Sequence, residues 1–311
     1  MNFKVIGIKE IMFHFPVPVS NDFQIVSFSD FKNLNIEEFD FTVQGNVKNV
    51  FKTYTEKLAP FYDALDTSKK IKIVMESAIF RQNTTDDVKR VYYRFGLNHF
   101  MRKVGEFYNQ NSPPDRWKKL QQEQNINIKE WRNHGNHILV ILQKQYDSSL
   151  VGLYETYKDY GVWLKGVLEE IRKHTDRKII VRDHPRLKFD GIKKAIGDLK
   201  NIEISKNNIA INRSTAGHHL LKDFEDAWAV VGYTSSTLTD SVCEGIPTFA
   251  LSEYAMAYDV CNNDLSKIEI PNRNIDRQQW LNDMAYAQWS YDEIRKGEPW
   301  DRMKSVHFST K

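Results

Sequence analysis

The stretch Gly232-Tyr233-Thr234-Ser235-Ser236-Thr237 is where the sequence offers chemistry most plainly. It follows an apolar run at residues 228–231 and precedes a helical spacing at 238–244. Glycine permits a tight turn. Hydroxyl donors, free N–H groups and the positive end of a helix then converge, a combination suited to an anion and above all to a phosphate. An N-cap with spare serines is the competing reading, and the stretch alone leaves both open.

Two more polar loops follow apolar runs. After residues 178–181 come Arg182-Asp183-His184-Pro185-Arg186. Basic groups at a strand's carboxyl end call for an anion or a carboxylate, and Pro185 stops the strand and restricts His184. After residues 137–142 come Gln143, Lys144, Gln145, Tyr146, Asp147, Ser148 and Ser149. Gln143, Asp147 and Ser148 are candidate ligand contacts there, with a cap on the next helix as the alternative. With these three loops, the candidate donor-binding residues are Gln143, Asp147, Ser148, Arg182, His184, Pro185, Arg186, Thr234, Ser235, Ser236 and Thr237.

The first half offers candidates for a base. Glu76 follows the run at residues 71–75 and can take a proton from an acceptor hydroxyl, or serve as a cap or as a partner for Arg81. His99 is a second candidate, and Asp115 a third, although Asp115 beside Arg116 reads first as a structural ion pair. Arg81, Arg94, Arg102 and Arg116 lie among Phe80, Tyr92, Tyr93, Phe95, Phe100, Phe107 and Tyr108. Such interleaving can grip a nucleic-acid strand and stack an extruded base. Amphipathic helices with aromatic cores and solvated charge are the favoured alternative.

These loops need a sheet edge to bring them together. Predicted strands at 137–142, 178–181, 201–204, 228–231 and 248–251 alternate with helical spacing at 158–174, 189–198, 217–224 and 238–244. Gly245 and Pro247 close the last of these helices. Continuous apolar strands alternating with helices predict a parallel sheet covered on both faces, which binds ligands at its carboxyl edge. In the first half, strands are predicted at 3–8, 23–28 and 71–75 and a helix over 46–66, while 86–108 reads as helical or irregular. A final helix is predicted over 276–296, with Trp280, Met284, Ala287 and Ile294 on one face. The predicted domains are 1–130 for the acceptor, 131–275 for the donor, and 276–311 as a helix packing back toward the first.

Composition sets outer bounds. A chain of 311 residues is long enough for two domains. Its 44 basic and 41 acidic side chains give a net charge of +3, too balanced to announce nucleic-acid binding. Two cysteines provide neither a disulfide framework nor a metal cluster. No apolar run approaches the length of a membrane span, and the first residues lack a signal-peptide core, so a soluble cytoplasmic protein is expected.

The ordered set Gln143, Asp147-Ser148-Ser149, His184-Pro185 and Ser235-Ser236 before Glu244-Gly245-Ile246-Pro247 resembles the nucleotide-sugar domain of GT-B glycosyltransferases. It is most similar to the capsule Kdo transferases. More distant similarity is to bacterial sialyltransferases and teichoic-acid polymerases, which share the His-Pro and Ser-Ser pairs. The resemblance implies an α/β GT-B fold, with two doubly wound, Rossmann-like domains facing each other across a cleft and a C-terminal crossover helix. It implies a glycosyltransferase in which His184, Ser235 and Ser236 contact the phosphate of a nucleotide-sugar donor. The capsule enzymes' Pro-Phe-Tyr segment is replaced by residues 252–258, which counts against a CMP-Kdo donor.

The whole chain also resembles glycosyltransferases of tailed phages, through Asp115-Arg116-Trp117, His184-Pro185-Arg186, residues 284–289 and Glu293-Ile294. That similarity implies a UDP-hexose donor and, as partner, double-stranded phage DNA carrying hydroxymethylated pyrimidines. A surface polysaccharide or glycolipid acceptor, or a non-catalytic nucleotide-binding module, are the alternatives. The nucleotide sugar is a co-substrate and no other cofactor is expected. With no Asp-X-Asp triplet, no metal site is expected either.

Overall fold

The computed structural model describes residues 3–13, 15–48, 53–80, 91–185, 188–207 and 213–307. The chain divides into two compact units, Met1–Leu120 with Leu281–Lys311, and Gln121–Trp280. Each is α/β with a sheet made mostly of parallel strands.

Among the described residues, the second unit holds a five-stranded sheet. Its strands are β6 His137–Ile141, β7 Lys178–Arg182, β8 Ile202–Ile204, β9 Ala227–Gly232 and β10 Thr248–Ala250, in the order β10-β9-β6-β7-β8. All pairings are parallel. β6, β7 and β9 have apolar runs at their centres, as strands covered on both faces do, whereas the edge strand β8 carries the exposed Glu203 between Ile202 and Ile204. Ile138, Val140, Val181, Ala229, Val231 and Phe249 form one buried cluster with Trp163, Leu164 and Leu168. Those last residues come from the helix Tyr160–His174, whose buried positions recur at three and four. Asp159 caps it by accepting from the Val162 N–H, and Arg172, Lys173 and His174 sit in the last turn, where the helix dipole favours positive charge. The chain winds from β6 through β7 to β8, then crosses to β9 on the other side of β6. The carboxyl ends of β6 and β9 therefore flank a topological switch point.

Among the described residues, the first unit has a six-stranded sheet in the order β11-β5-β4-β3-β1-β2. β1 Val5–Ile8, β2 Phe23–Val26, β3 Phe41–Gly45 and β4 Ile71–Ser77 run parallel, and β5 Tyr92–Leu97 is antiparallel to both β4 and β11 Gln288–Ser290. Three of these strands differ from expectation. β3 falls where no strand is expected, and β5 lies inside the stretch read as helical or irregular. The final helix is interrupted by β11, giving helices Gln278–Tyr286, Tyr291–Lys296 and Glu298–His307. The interruption has a local cause. Ser290 starts the next helix through a reciprocal capping box with Glu293, and Gly297 ends it with φ 87°. Among the described residues no helix is long and apolar enough to cross a membrane.

Candidate functional site

The carboxyl edge of the second unit's sheet gathers the polar loops. Gln143 follows β6 and is buried, its backbone N–H donating to Tyr160 Oη at 2.8 Å. Its Oε1 accepts the Thr234 N–H at 2.9 Å, while its Nε2 donates to Ser149 Oγ at 2.8 Å and to Thr234 Oγ1 at 3.0 Å. Thr234 Oγ1 donates to the Ser149 carbonyl at 2.7 Å, and Ser149 Oγ to Asp147 Oδ1 at 2.8 Å. The network therefore staples the loop after β6 to the loop after β9, across the switch point. Burial also works on Tyr160, whose hydroxyl pKa is pushed well above its ordinary value.

This geometry redistributes the expected roles. Thr234 is buried and its hydroxyl faces Gln143 and Ser149, so it holds the loop rather than a ligand. Ser235 is half-buried, its Oγ accepting the Thr237 N–H at 3.2 Å. Ser236 is exposed at the N-cap of the helix Thr237–Cys243 and makes no capping bond there, and Thr237 is half-buried. Gly232 does not supply the turn expected of it. It is the last residue of β9, and its lack of a side chain serves close packing: a Cβ there would lie 3.0 Å from Leu238 Cδ2.

The loop after β7 also departs from expectation. Arg182 is buried, and its guanidinium pairs with Asp223 of the helix Arg213–Phe224 and donates to the His219 carbonyl at 3.4 Å. Asp223 in turn accepts from Ser205 Oγ at 2.7 Å and from Asn207 Nδ2 at 2.8 Å. A buried guanidinium needs such a partner, so Arg182 belongs to the fold and is corrected as a donor contact. His184 and Pro185 are half-buried at the sheet edge, as are Asp147 and Ser148 in the neighbouring loop, and Arg186 lies outside the described residues. Asp183 is buried, and its carboxylate accepts the N–H of His184 at 2.7 Å and of Phe189 at 2.9 Å. Burial raises its pKa against the pull of those two N–H groups. Sequence reasoning passed over this residue, although an Asp side chain readily accepts nearby backbone N–H groups where a strand ends.

In the first unit the three candidate bases separate. Glu76 sits near the carboxyl end of β4, half-buried, its Oε1 accepting from Ser77 N at 2.7 Å and Ser77 Oγ at 2.9 Å. His99 follows β5, which runs antiparallel to β4, so it lies at the opposite sheet edge from Glu76. Burial, then Arg94 and Lys72, lower its pKa to about 4, and its Nδ1 accepts the Met101 N–H at 3.1 Å. Asp115 is exposed and its carboxylate accepts from Tyr286 Oη at 3.0 Å. No hydrogen bond joins any two of the three among the described residues.

The arginines expected to grip an acceptor are largely committed elsewhere. Arg94 is buried and donates to the carbonyls of Ser77 at 2.8 Å and Phe100 at 2.9 Å. Arg116 stacks 3.6 Å from the Trp289 ring centroid and binds Glu293 through both oxygens at 2.9 and 3.1 Å. Lys119 adds a bond to Glu293 at 2.7 Å. Burial opposes the Glu293 charge, but Arg116, Lys119 and the Ser290 N–H outweigh it and hold its pKa at about 2. Arg102 is half-buried, and Arg81 lies outside the described residues. Arg94 and Arg116 are thus corrected to structural roles, because each guanidinium meets its partners inside the unit.

No protein-family model matches the chain, and no curated protein matches it. Among solved structures it is similar to Thermosulfurimonas dismutans KpsC, the β-Kdo 2,4-transferase, with TM-score 0.48 and 12% identity over 92% of this chain and 90% of that one. It is also similar to the KpsC β-Kdo 2,7-transferase of the same organism, with TM-score 0.47 and 13% identity over 99% of both chains. The wall teichoic acid polymerase TagF has TM-score 0.27 and 12% identity, over 96% of this chain and 67% of that one. Kdo transferases and a teichoic-acid polymerase, the families named from the motif order, are therefore among its structural neighbours.

Proposed function

We propose that the protein is a glycosyltransferase, with the second unit holding a nucleotide-sugar donor and the first binding the acceptor and supplying the base. The observation that carries this reading is the convergence at one switch point. Gln143 and Thr234 tie the loops after β6 and β9 together, and His184-Pro185 follows the neighbouring strand β7. We read the exposed Ser236, the half-buried Ser235 and the imidazole of His184 as the groups an anion there would meet. These groups would neutralise the charge that grows on the leaving phosphate, and donors already in place for a developing charge usually do more for the rate than any other feature of a site. Glu76 is the proposed base: it stands near the carboxyl end of β4 with Ser77 on its Oε1, whereas His99 lies at the opposite sheet edge and Tyr286 Oη lies at 3.0 and 3.1 Å from the two Asp115 oxygens.

The donor is proposed as a nucleotide sugar, with UDP-hexoses first. The acceptor is proposed only as a hydroxyl, because a DNA acceptor loses its main carriers once Arg94 and Arg116 are assigned to the fold. A thermal-shift screen of UDP-, GDP- and CMP-sugars tests the reading. A donor present at 100 times its dissociation constant adds about 2.7 kcal/mol of stability. A screen in which no nucleotide raises the midpoint counts against the donor site.

A further inference from the structure

Asp183 stands at the centre of the His184 loop. It is only 5% exposed, directly after β7, and its two oxygens are both occupied by backbone N–H groups that bracket His184-Pro185. The far anchor is firmly seated. The Phe189 ring packs edge-on against Tyr160 at 5.2 Å, and a Cβ at Gly191 would lie 2.3 Å from Phe189 Cζ. Tyr160 is the residue whose hydroxyl accepts the Gln143 N–H, so Asp183, Phe189, Tyr160 and Gln143 form a continuous connection between the loops after β7 and β6. Pro185 has no N–H to donate, and the Asp183 carboxylate holds the N–H groups of His184 before it and Phe189 beyond it.

A buried carboxylate is costly to maintain, and an amide of the same shape offers one acceptor oxygen where two N–H groups need acceptors. We infer that Asp183 is a positioning residue, fixing the His184-Pro185 turn in the orientation in which the imidazole meets a donor phosphate. This rests on the proposed function. The charged and titratable groups around Asp183 are Lys188 and Asp190 on its own loop, Tyr160 from the packed helix, and His184 beside it.

The test uses Asp183→Asn, Asp183→Ala, His184→Ala and the double variant Asp183→Asn/His184→Ala in the full chain, with UDP and CMP as probes. In wild-type spectra the His184 and Phe189 amide protons should lie downfield and follow the Asp183 titration. In Asp183→Asn, which keeps one acceptor oxygen, one of these two amides should lose its partner and shift. Nucleotide affinity should fall on the order of tenfold, the factor one hydrogen bond to a charged group supports. The double variant should bind no more weakly than His184→Ala alone, because Asp183 acts through His184. Losses that add in the double variant overturn the inference, and so does wild-type affinity in Asp183→Asn. If Asp183→Ala fails to fold, the isosteric Asn variant and the amide shifts still decide the matter. A wild-type protein that binds neither probe, nor GDP, overturns the proposed function and this inference with it.

Discussion

Replacing Gln143 by leucine removes its three side-chain bonds from the staple between the loops after β6 and β9 while keeping the side chain's approximate volume. The consequences follow from its partners. Ser149 Oγ keeps its bond to Asp147, and Thr234 Oγ1 keeps its bond to the Ser149 carbonyl. The Thr234 N–H loses its acceptor, and Thr234 is 4% exposed, so water cannot replace it. A buried donor left unpaired costs about 1–3 kcal/mol, and losing the Nε2 bonds adds about 1 kcal/mol, giving about 2–4 kcal/mol in all. Urea unfolding should report this as a lower midpoint with an unchanged slope, which separates a stability change from a change in the unfolded chain. Hydrogen exchange should show the Thr234 amide losing protection beyond the general loss. Gln143→Glu should also weaken the staple, because it keeps the acceptor for Thr234 but no longer donates to Ser149. Wild-type stability and wild-type Thr234 exchange in Gln143→Leu would refute the staple.

Two further outcomes test the first unit. The Glu293 pKa of about 2 lies below the ordinary 4.5, so its stabilising contribution is complete above about pH 5 and is lost as pH falls toward 2. That difference amounts to about 3 kcal/mol, and acid titration of stability should fall by that much more in wild type than in Glu293→Gln, where the group no longer titrates. Glu76→Gln should lower kcat by about 100-fold or more with nucleotide affinity unchanged, as loss of a general base does, and a wild-type kcat would exclude the assignment.

The parts of the fold legible in sequence are those whose burial is apolar. The central strands β6, β7 and β9 of the second unit appear as hydrophobic runs, because a parallel sheet is covered on both faces, while the edge strand β8 is Ile-Glu-Ile with Glu203 exposed. β3, β5 and β11 are equally buried but carry Thr42, Gln44, Arg94 and Gln288 inside the sheet, and hydrophobic periodicity cannot register a buried polar residue. The same limit applies to the site. The carboxyl-edge rule alone brought Gln143, Asp147, His184, Ser235 and Ser236 into view. It could not show that Arg182 meets Asp223 41 positions away, or that Arg116 meets Glu293 177 positions away. A charged residue looks available until its distant partner is in place. The hydroxyl stretch shows the point within four residues: Thr234 is structural, Ser235 braces the following turn, and Ser236 faces solvent.

The central claim is that the loops after β6, β7 and β9 hold a nucleotide's phosphate. Isothermal titration of the nucleotide or nucleotide sugar found in the screen, into wild type, His184→Ala and Ser236→Ala, addresses it most directly. Wild type should bind, and each variant should bind on the order of tenfold more weakly with its unfolding midpoint little changed, since each loses a contact to a charged group. Equal affinity in wild type and both variants would place the nucleotide elsewhere and contradict the claim.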